Sequence, residues 1–265
     1  MTAMTDTAAE QRTSGLEDFS CQALSHARVF SAKAAAPTIL FVHGGFHGAW
    51  CWSKVLTFLA SRGVGAAAID LRGHGGLPQS AAFVAEGLDD MVADVREAAQ
   101  TIPEPVYLAG HSLGALIAMK AAEHAAPRGL ILLAPATPTG VAKNHALPPF
   151  PAGRAIQPPD ETRVRRWFLS GDSSASVANY LTRLCPESPT LLNECFHEGI
   201  AIDPGRIACP VLCLSGGKDD SPLHPAGQDQ AVAARYGARL RIIPQSGHCM
   251  MLDDGWPETA AAIHA

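Results

Sequence analysis

Charge is scarce in this 265-residue chain: Asp, Glu, Lys and Arg together make up 17%, and aromatic residues only 6%. The 25 acidic and 20 basic side chains leave a formal net charge of −5, which excludes the basic footprint of a nucleic-acid binder. No run of like charge suggests a membrane surface or a polyanion as partner. No segment is long and apolar enough to span a bilayer. The polar stretch Met1 to Gly15, with Asp6, Glu10 and Arg12, lacks the apolar centre of a signal peptide. Seven cysteines is an odd count, and no pair stands in C-x-x-C spacing. Cys51, Cys209 and Cys213 lie in or beside apolar segments and read as small core residues. The expected compartment is a reducing cytoplasm.

What remains is an ordinary globule, 47% hydrophobic and long enough to bury about 70–75% of its extended surface without disulfides or metal. Short apolar runs alternate with longer amphipathic ones. Strands are expected at 38–42, 64–69, 105–109, 129–133, 211–214 and 240–243. Helices are expected at 50–62, 80–100, 113–125, near 225–236 and from Pro257 onward. The strand Gly129-Leu130-Ile131-Leu132-Leu133 is apolar throughout, as a strand covered on both faces should be. The expected fold class is α/β, a mostly parallel sheet with helices on both faces. Residues 1–18 are expected to form a mobile tail, and 19–136 with 206–265 the core. Residues 137–205, rich in proline and broken into short helix-like pieces, are expected to insert between two strands as a cap.

Gly110-His111-Ser112-Leu113-Gly114 follows the apolar run Val106-Tyr107-Leu108-Ala109 and precedes a helix-like, alanine-rich stretch. A strand turned directly into a helix by G-x-S-x-G is a nucleophile elbow, which exposes the serine hydroxyl on a strained turn. A serine hydroxyl needs a base, and that base needs a third group to orient it. The order expected on this fold is serine, acid, histidine, each at the carboxyl end of a strand. Ser215-Gly216-Gly217-Lys218-Asp219-Asp220 follows the strand at 211–214, and Pro244-Gln245-Ser246-Gly247-His248 follows the strand at 240–243. His248 is thus the candidate base, and Asp219 and Asp220 are the candidate acids.

An oxyanion hole requires two backbone N–H groups. One is expected from Leu113, at the start of the elbow helix. The other is expected from His43-Gly44-Gly45-Phe46, with Gly45 the candidate donor ahead of Phe46. His43 is expected to brace this loop, His111 to point away from the reacting atoms, and Asp70 and His74 to stabilise a turn. Phe46, Trp167 and Phe168 are candidate substrate-binding residues. Phe150, Tyr180, Leu181 and Phe196 are expected to divide between lining a pocket and packing the cap. Arg163, Arg165 and Arg166 read as a solvated helix face. Neither a phosphate-binding glycine loop nor a metal-ligand spacing is present, so no cofactor and no metal are expected.

The segment His43-Gly44-Gly45-Phe46-His47-Gly48-Ala49-Trp50-Cys51-Trp52 is similar to the H-G-x-x-H-G-x-W-x-W segment of plant methylesterases and hydroxynitrile lyases, and of many bacterial esterases. From about residue 25 onward the chain resembles the α/β-hydrolases. That resemblance implies a triad of Ser112, Asp219 and His248, because the family usually places its acid in G-x-x-D, and an oxyanion donor at Gly45. The related lyases carry a lysine directly after the catalytic histidine, and this chain has Cys249 there. The expected activity is hydrolysis of a small or medium carboxylic ester, lactone or related acyl compound. C–C bond hydrolysis, another acyl transfer, or slow-turnover ligand sensing on the same site stand as alternatives.

Overall fold

A computed structural model of the chain describes residues 10–32, 36–141, 148–170, 173 and 175–265. Eight strands form one sheet: β1 (Ser20–Ala23), β2 (Arg28–Ser31), β3 (Thr38–Val42), β4 (Gly65–Asp70), β5 (Val106–His111), β6 (Leu130–Leu133), β7 (Val211–Gly216) and β8 (Arg239–Ile243). Their spatial order is β1-β2-β4-β3-β5-β6-β7-β8. The first two pairings are antiparallel, and every pairing from β4 to β8 is parallel. This is the expected mostly parallel α/β architecture.

The apolar strands feed two separate cores because successive side chains point to opposite faces. Leu40, Val42, Leu108, Leu130 and Leu132 pack on one side, against α2 (Leu88–Thr101), α3 (Leu113–Ala125) and α7 (Gln228–Tyr236). Ile39, Phe41, Ala109, Ile131 and Leu133 pack on the other, against α1 (Ser53–Ala60) and α8 (Trp256–His264). Helix α3 is buried along most of its length, and Leu116, Ile117 and Met119 are fully enclosed. Burial of each such side chain contributes about 1.5–3 kcal/mol, which anchors the elbow helix firmly.

Between β6 and β7 the described residues form three short α-helices, α4 (Glu161–Trp167), α5 (Val177–Arg183) and α6 (Pro189–Asn193). Each begins on a side chain that accepts a backbone N–H: Asp160 from Arg163, Ser176 from Asn179, and Ser188 from Leu191. Among the described residues, no helix is long and apolar enough to cross a membrane.

Two expectations need correction, and one pair of strands was not foreseen. The helix expected over 80–100 starts only at Leu88, after a short 3-10 turn at Phe83–Ala85. Its start is set by two carboxylates, since Asp90 accepts from the Gly87 N–H and Glu194 accepts from the Leu88 N–H. The expected tail is ordered in its latter part: Leu16 is buried in the α1 core and the Gly15 N–H donates to Glu17. Residues 1–9 of that tail lie outside the described residues. Finally, β1 and β2 are an antiparallel edge pair. β1 is exposed along all four residues, so it lacks the apolar run that marks the other strands.

Candidate active site

The elbow is built as the sequence requires. Ser112 has φ 52° and ψ −119°, a conformation costing on the order of 1–3 kcal/mol. The surrounding backbone holds it: the Ser112 N–H donates to Leu133, and its carbonyl accepts from Ala115 and Ala136. A Cβ on Gly110 would lie 2.3 Å from the Gly114 carbonyl oxygen, and one on Gly114 would lie 2.2 Å from that of His43. Both obstacles are main chain and cannot swing aside. Gly114→Ala is therefore expected to destabilise the fold by about 3 kcal/mol or more, the upper range for an overpacked core. Denaturant unfolding checks this, and a midpoint equal to that of the parent would refute it.

At the carboxyl ends of β5, β7 and β8 three polar side chains meet. His248 Nε2 lies 3.1 Å from Ser112 Oγ, and His248 Nδ1 lies 2.8 Å from Asp219 Oδ2. The Asp219 side chain is almost enclosed, whereas Asp220 is exposed. Burial opposes charge on Asp219, but His248, His224 and the Ser221 N–H outweigh it and hold its carboxyl below the ordinary range. The loop carrying His248 is itself tied down, because Asp253 Oδ2 accepts from the N–H groups of Gly247 and Ser170.

The loop after β3 carries the candidate oxyanion donors. Among the described residues, neither the Gly45 nor the Leu113 N–H meets a protein acceptor. The Phe46 N–H is taken, donating to Glu187 Oε2 at 3.0 Å. Phe46 itself sits at φ 67°, a left-handed conformation that is unusual for a bulky residue. His43 braces the loop as expected: its Nδ1 donates to the Gly44 carbonyl and its Nε2 accepts from the Leu71 N–H. Burial drives His43 and His111 well below the ordinary histidine range, so both rings are neutral. His111 differs from its expectation. Its Nε2 donates to the His248 carbonyl, and its ring centroid lies 4.9 Å from that of His248, beside the reacting groups.

A cavity of about 470 Å³ opens above Ser112. Phe46, Trp167 and Phe168 line it, as do Phe150, Phe196 and the prolines at 148, 149, 151, 158 and 159. Tyr180 and Leu181 pack into the core instead, so the aromatic set divides as expected. Of the three arginines, Arg163 reaches the cavity, pairs with Asp160 and lies over Trp167. Arg165 pairs with Glu161, and Arg166 is exposed.

Sequence reasoning missed several residues at the site. His47 faces the Tyr180 hydroxyl, which in turn contacts Cys249 Sγ at 3.3 Å. Burial lowers the His47 pKa to about 4, leaving the ring neutral, and pushes the Cys249 thiol far above its ordinary range. The His224 ring lies against His248 at a tilt of 51°, with centroids 5.1 Å apart, and its Nε2 lies 2.9 Å from Asp229. Asp219, His224 and His248 lie close enough to share a cation, but Asp219 Oδ2 already accepts from His248 Nδ1 at 2.8 Å. The spacing of His224 and Asp229 carries no motif that would have revealed them.

Comparison with known proteins follows the same line. The profile described as the Alpha/beta hydrolase family matches residues 39–262. Protein phosphatase methylesterase 1 of Mus musculus is 37% identical over 99 residues, which is 36% of this chain and 26% of that protein. Methylesterase 9 of Arabidopsis thaliana is 36% identical over 86 residues, 32% of this chain and 33% of that one. These matches therefore span only about a quarter to a third of the relatives' length. A methylesterase structure from Arabidopsis superposes with a TM-score of 0.66 at 19% identity, covering 86% of this chain and 97% of its own. A putative lipase from Acinetobacter baumannii gives 0.73 at 16% identity, covering 99% and 95%. At that identity the two structures speak for the fold.

Proposed function

The chain belongs to the Alpha/beta hydrolase family, and from that premise we propose that it is a serine hydrolase cleaving a small or medium carboxylic ester, lactone or related acyl compound. The observation that carries this reading is the unbroken line from Ser112 Oγ through His248 to Asp219, at 3.1 and 2.8 Å. Ser112 Oγ attacks the carbonyl carbon as His248 Nε2 takes its proton. The carbonyl oxygen becomes negative and is held by the N–H groups of Gly45 and Leu113. His248 passes the proton to the departing alkoxide, leaving an acyl-enzyme. Water then adds to that ester with His248 again as base, and Ser112 regains its proton as the acid leaves. Asp219 fixes the ring with its Nδ1–H toward the carboxylate and stabilises the imidazolium.

The insertion at 137–205 acts as a cap in this reading, closing the cavity from above. Its volume falls in the lower part of the range for small-molecule sites, and its aromatic and proline lining favours an apolar acyl or alcohol group. A cyanohydrin lyase needs a cation where cyanide departs. The buried, protonated Cys249 thiol supplies none.

Labelling with a serine-directed phosphonate, peptide mapping and a parallel panel of esters and lactones test the proposal. Modification is expected at Ser112, with turnover of the smaller apolar esters. Labelling elsewhere, or binding that raises thermal stability with no turnover of any activated ester, would favour a ligand sensor.

A further inference from the structure

The candidate oxyanion loop is clamped by two residues remote in sequence. The Cys185 N–H donates to the Phe46 carbonyl at 2.9 Å, and Glu187 Oε2 accepts from the Phe46 N–H at 3.0 Å. Both contacts act on the one residue of that loop with positive φ. Glu187 is itself fixed, its backbone exchanging hydrogen bonds of 2.8 and 2.9 Å with Ile156 while Oε1 accepts from the Ser188 N–H. Glu187 Oε2 also lies 3.0 Å from His74 Nε2, and His74 Nδ1 lies 2.8 Å from the Arg72 carbonyl oxygen. Each ring nitrogen thus faces an oxygen that can only accept, an arrangement satisfied by the imidazolium with its two N–H groups.

The position of this pair matters for chemistry. Glu187 Oε2 lies 3.7 Å from where a Cβ would stand on Gly45. An uncompensated carboxylate there would oppose negative charge growing on a carbonyl oxygen bound at the Gly45 N–H. We propose that Glu187 and His74 are a positioning pair for the oxyanion loop. Glu187 ties up the Phe46 N–H and leaves that of Gly45 unengaged beside the cavity that Ser112 also lines, and the His74 proton cancels the carboxylate's field. The inference rests on the serine-hydrolase reading above.

Burial opposes charge on His74, but Glu187 outweighs it and raises the ring's proton affinity; burial likewise opposes the Glu187 anion, and His74 outweighs it. The other ionisable groups around the pair are Asp70, paired with Arg28 of β2, and the rings of His43 and His47, with the Cys185 thiol beside Glu187. His43 and His47 are neutral by burial and the thiol is held protonated. The charge of the cluster therefore changes when His74 loses its proton. The compensation is complete at low pH and disappears as pH rises through the raised His74 pKa, giving kcat an alkaline limb.

The test is the pH dependence of kcat and KM on a soluble aryl ester from pH 7 to 10, with circular dichroism at each pH and phosphonate labelling in parallel. In the parent protein kcat is expected to fall on the alkaline side while the fold persists. Glu187→Gln replaces one acceptor oxygen with an NH2, so either the Phe46 or the Ser188 N–H loses its partner. We expect kcat to fall about tenfold or more, KM to stay within about twofold, and the alkaline limb to vanish. His74→Gln should also lower kcat, and the double variant should lose no more than Glu187→Gln alone. A folded Glu187→Gln protein with parental kcat and alkaline limb overturns the proposal, as do losses that multiply in the double variant. Should the variants fail to fold, a flat kcat profile in the folded parent overturns it. An inactive, unlabelled parent overturns the hydrolase reading and this inference together; an active, labelled parent with unaffected variants overturns this inference alone.

Discussion

Replacing Ser112 with alanine is expected to lower kcat for a carboxylic ester by about 10⁵–10⁶-fold, as removal of the nucleophile does where a triad acts as a unit. The residual rate would come from substrate binding and the two oxyanion N–H groups alone. The fold should survive. The Oγ atom bonds to His248, whereas the anchoring of residue 112 is through its main chain, to Leu133, Ala115 and Ala136. Alanine meets the same unfavourable φ of 52° that serine already tolerates there. Steady-state kinetics with a denaturation curve on the same preparation check both halves of the prediction. A variant that keeps most of its activity would remove Ser112 from the chemistry altogether.

The second large effect separates two adjacent acids. Asp219→Asn is expected to reduce kcat by about 10⁴-fold, and Asp220→Asn to leave it within about twofold. Asp219 accepts at both oxygens, from the Ser221 N–H at Oδ1 and from His248 Nδ1 at Oδ2. An asparagine would turn its carbonyl to the Ser221 N–H and present its NH2 to His248. The ring would then carry its proton on Nε2, where it cannot accept one from Ser112. Asp220 is exposed and has no part in that line. Equal losses in the two variants would mean that the loop supports the site through its overall charge and not through a single carboxylate.

These two predictions rest on features with different legibility. The Gly110–Gly114 motif is local: within five residues it must reverse the chain sharply and let β5 approach α3, and glycine is what close main-chain contact demands. The apolar runs of β3, β5 and β6 were legible because strands covered on both faces need no polar positions. The order of the three loops followed from topology. β1 and β2 carry no such mark, and the start of α2 depends on Glu194, a carboxylate from another part of the chain. The apolar spacing from Ser80 to Gln100 runs across that boundary without a break, and the carboxylate that sets it lies 106 positions away.

Local hydrogen-bonding rules and side-chain periodicity act over a few residues, so the amino-acid order alone determined the elbow, the central strands and the set of loops from which a triad could be drawn. Which of two neighbouring aspartates faces the imidazole depended on how β7 and β8 lie side by side. The partnership of Glu187 with His74, 113 positions apart, arose only when the insertion packed onto the loops after β3 and β4. A buried carboxylate is stable where cations and N–H groups converge on it, and that convergence exists in the folded molecule alone.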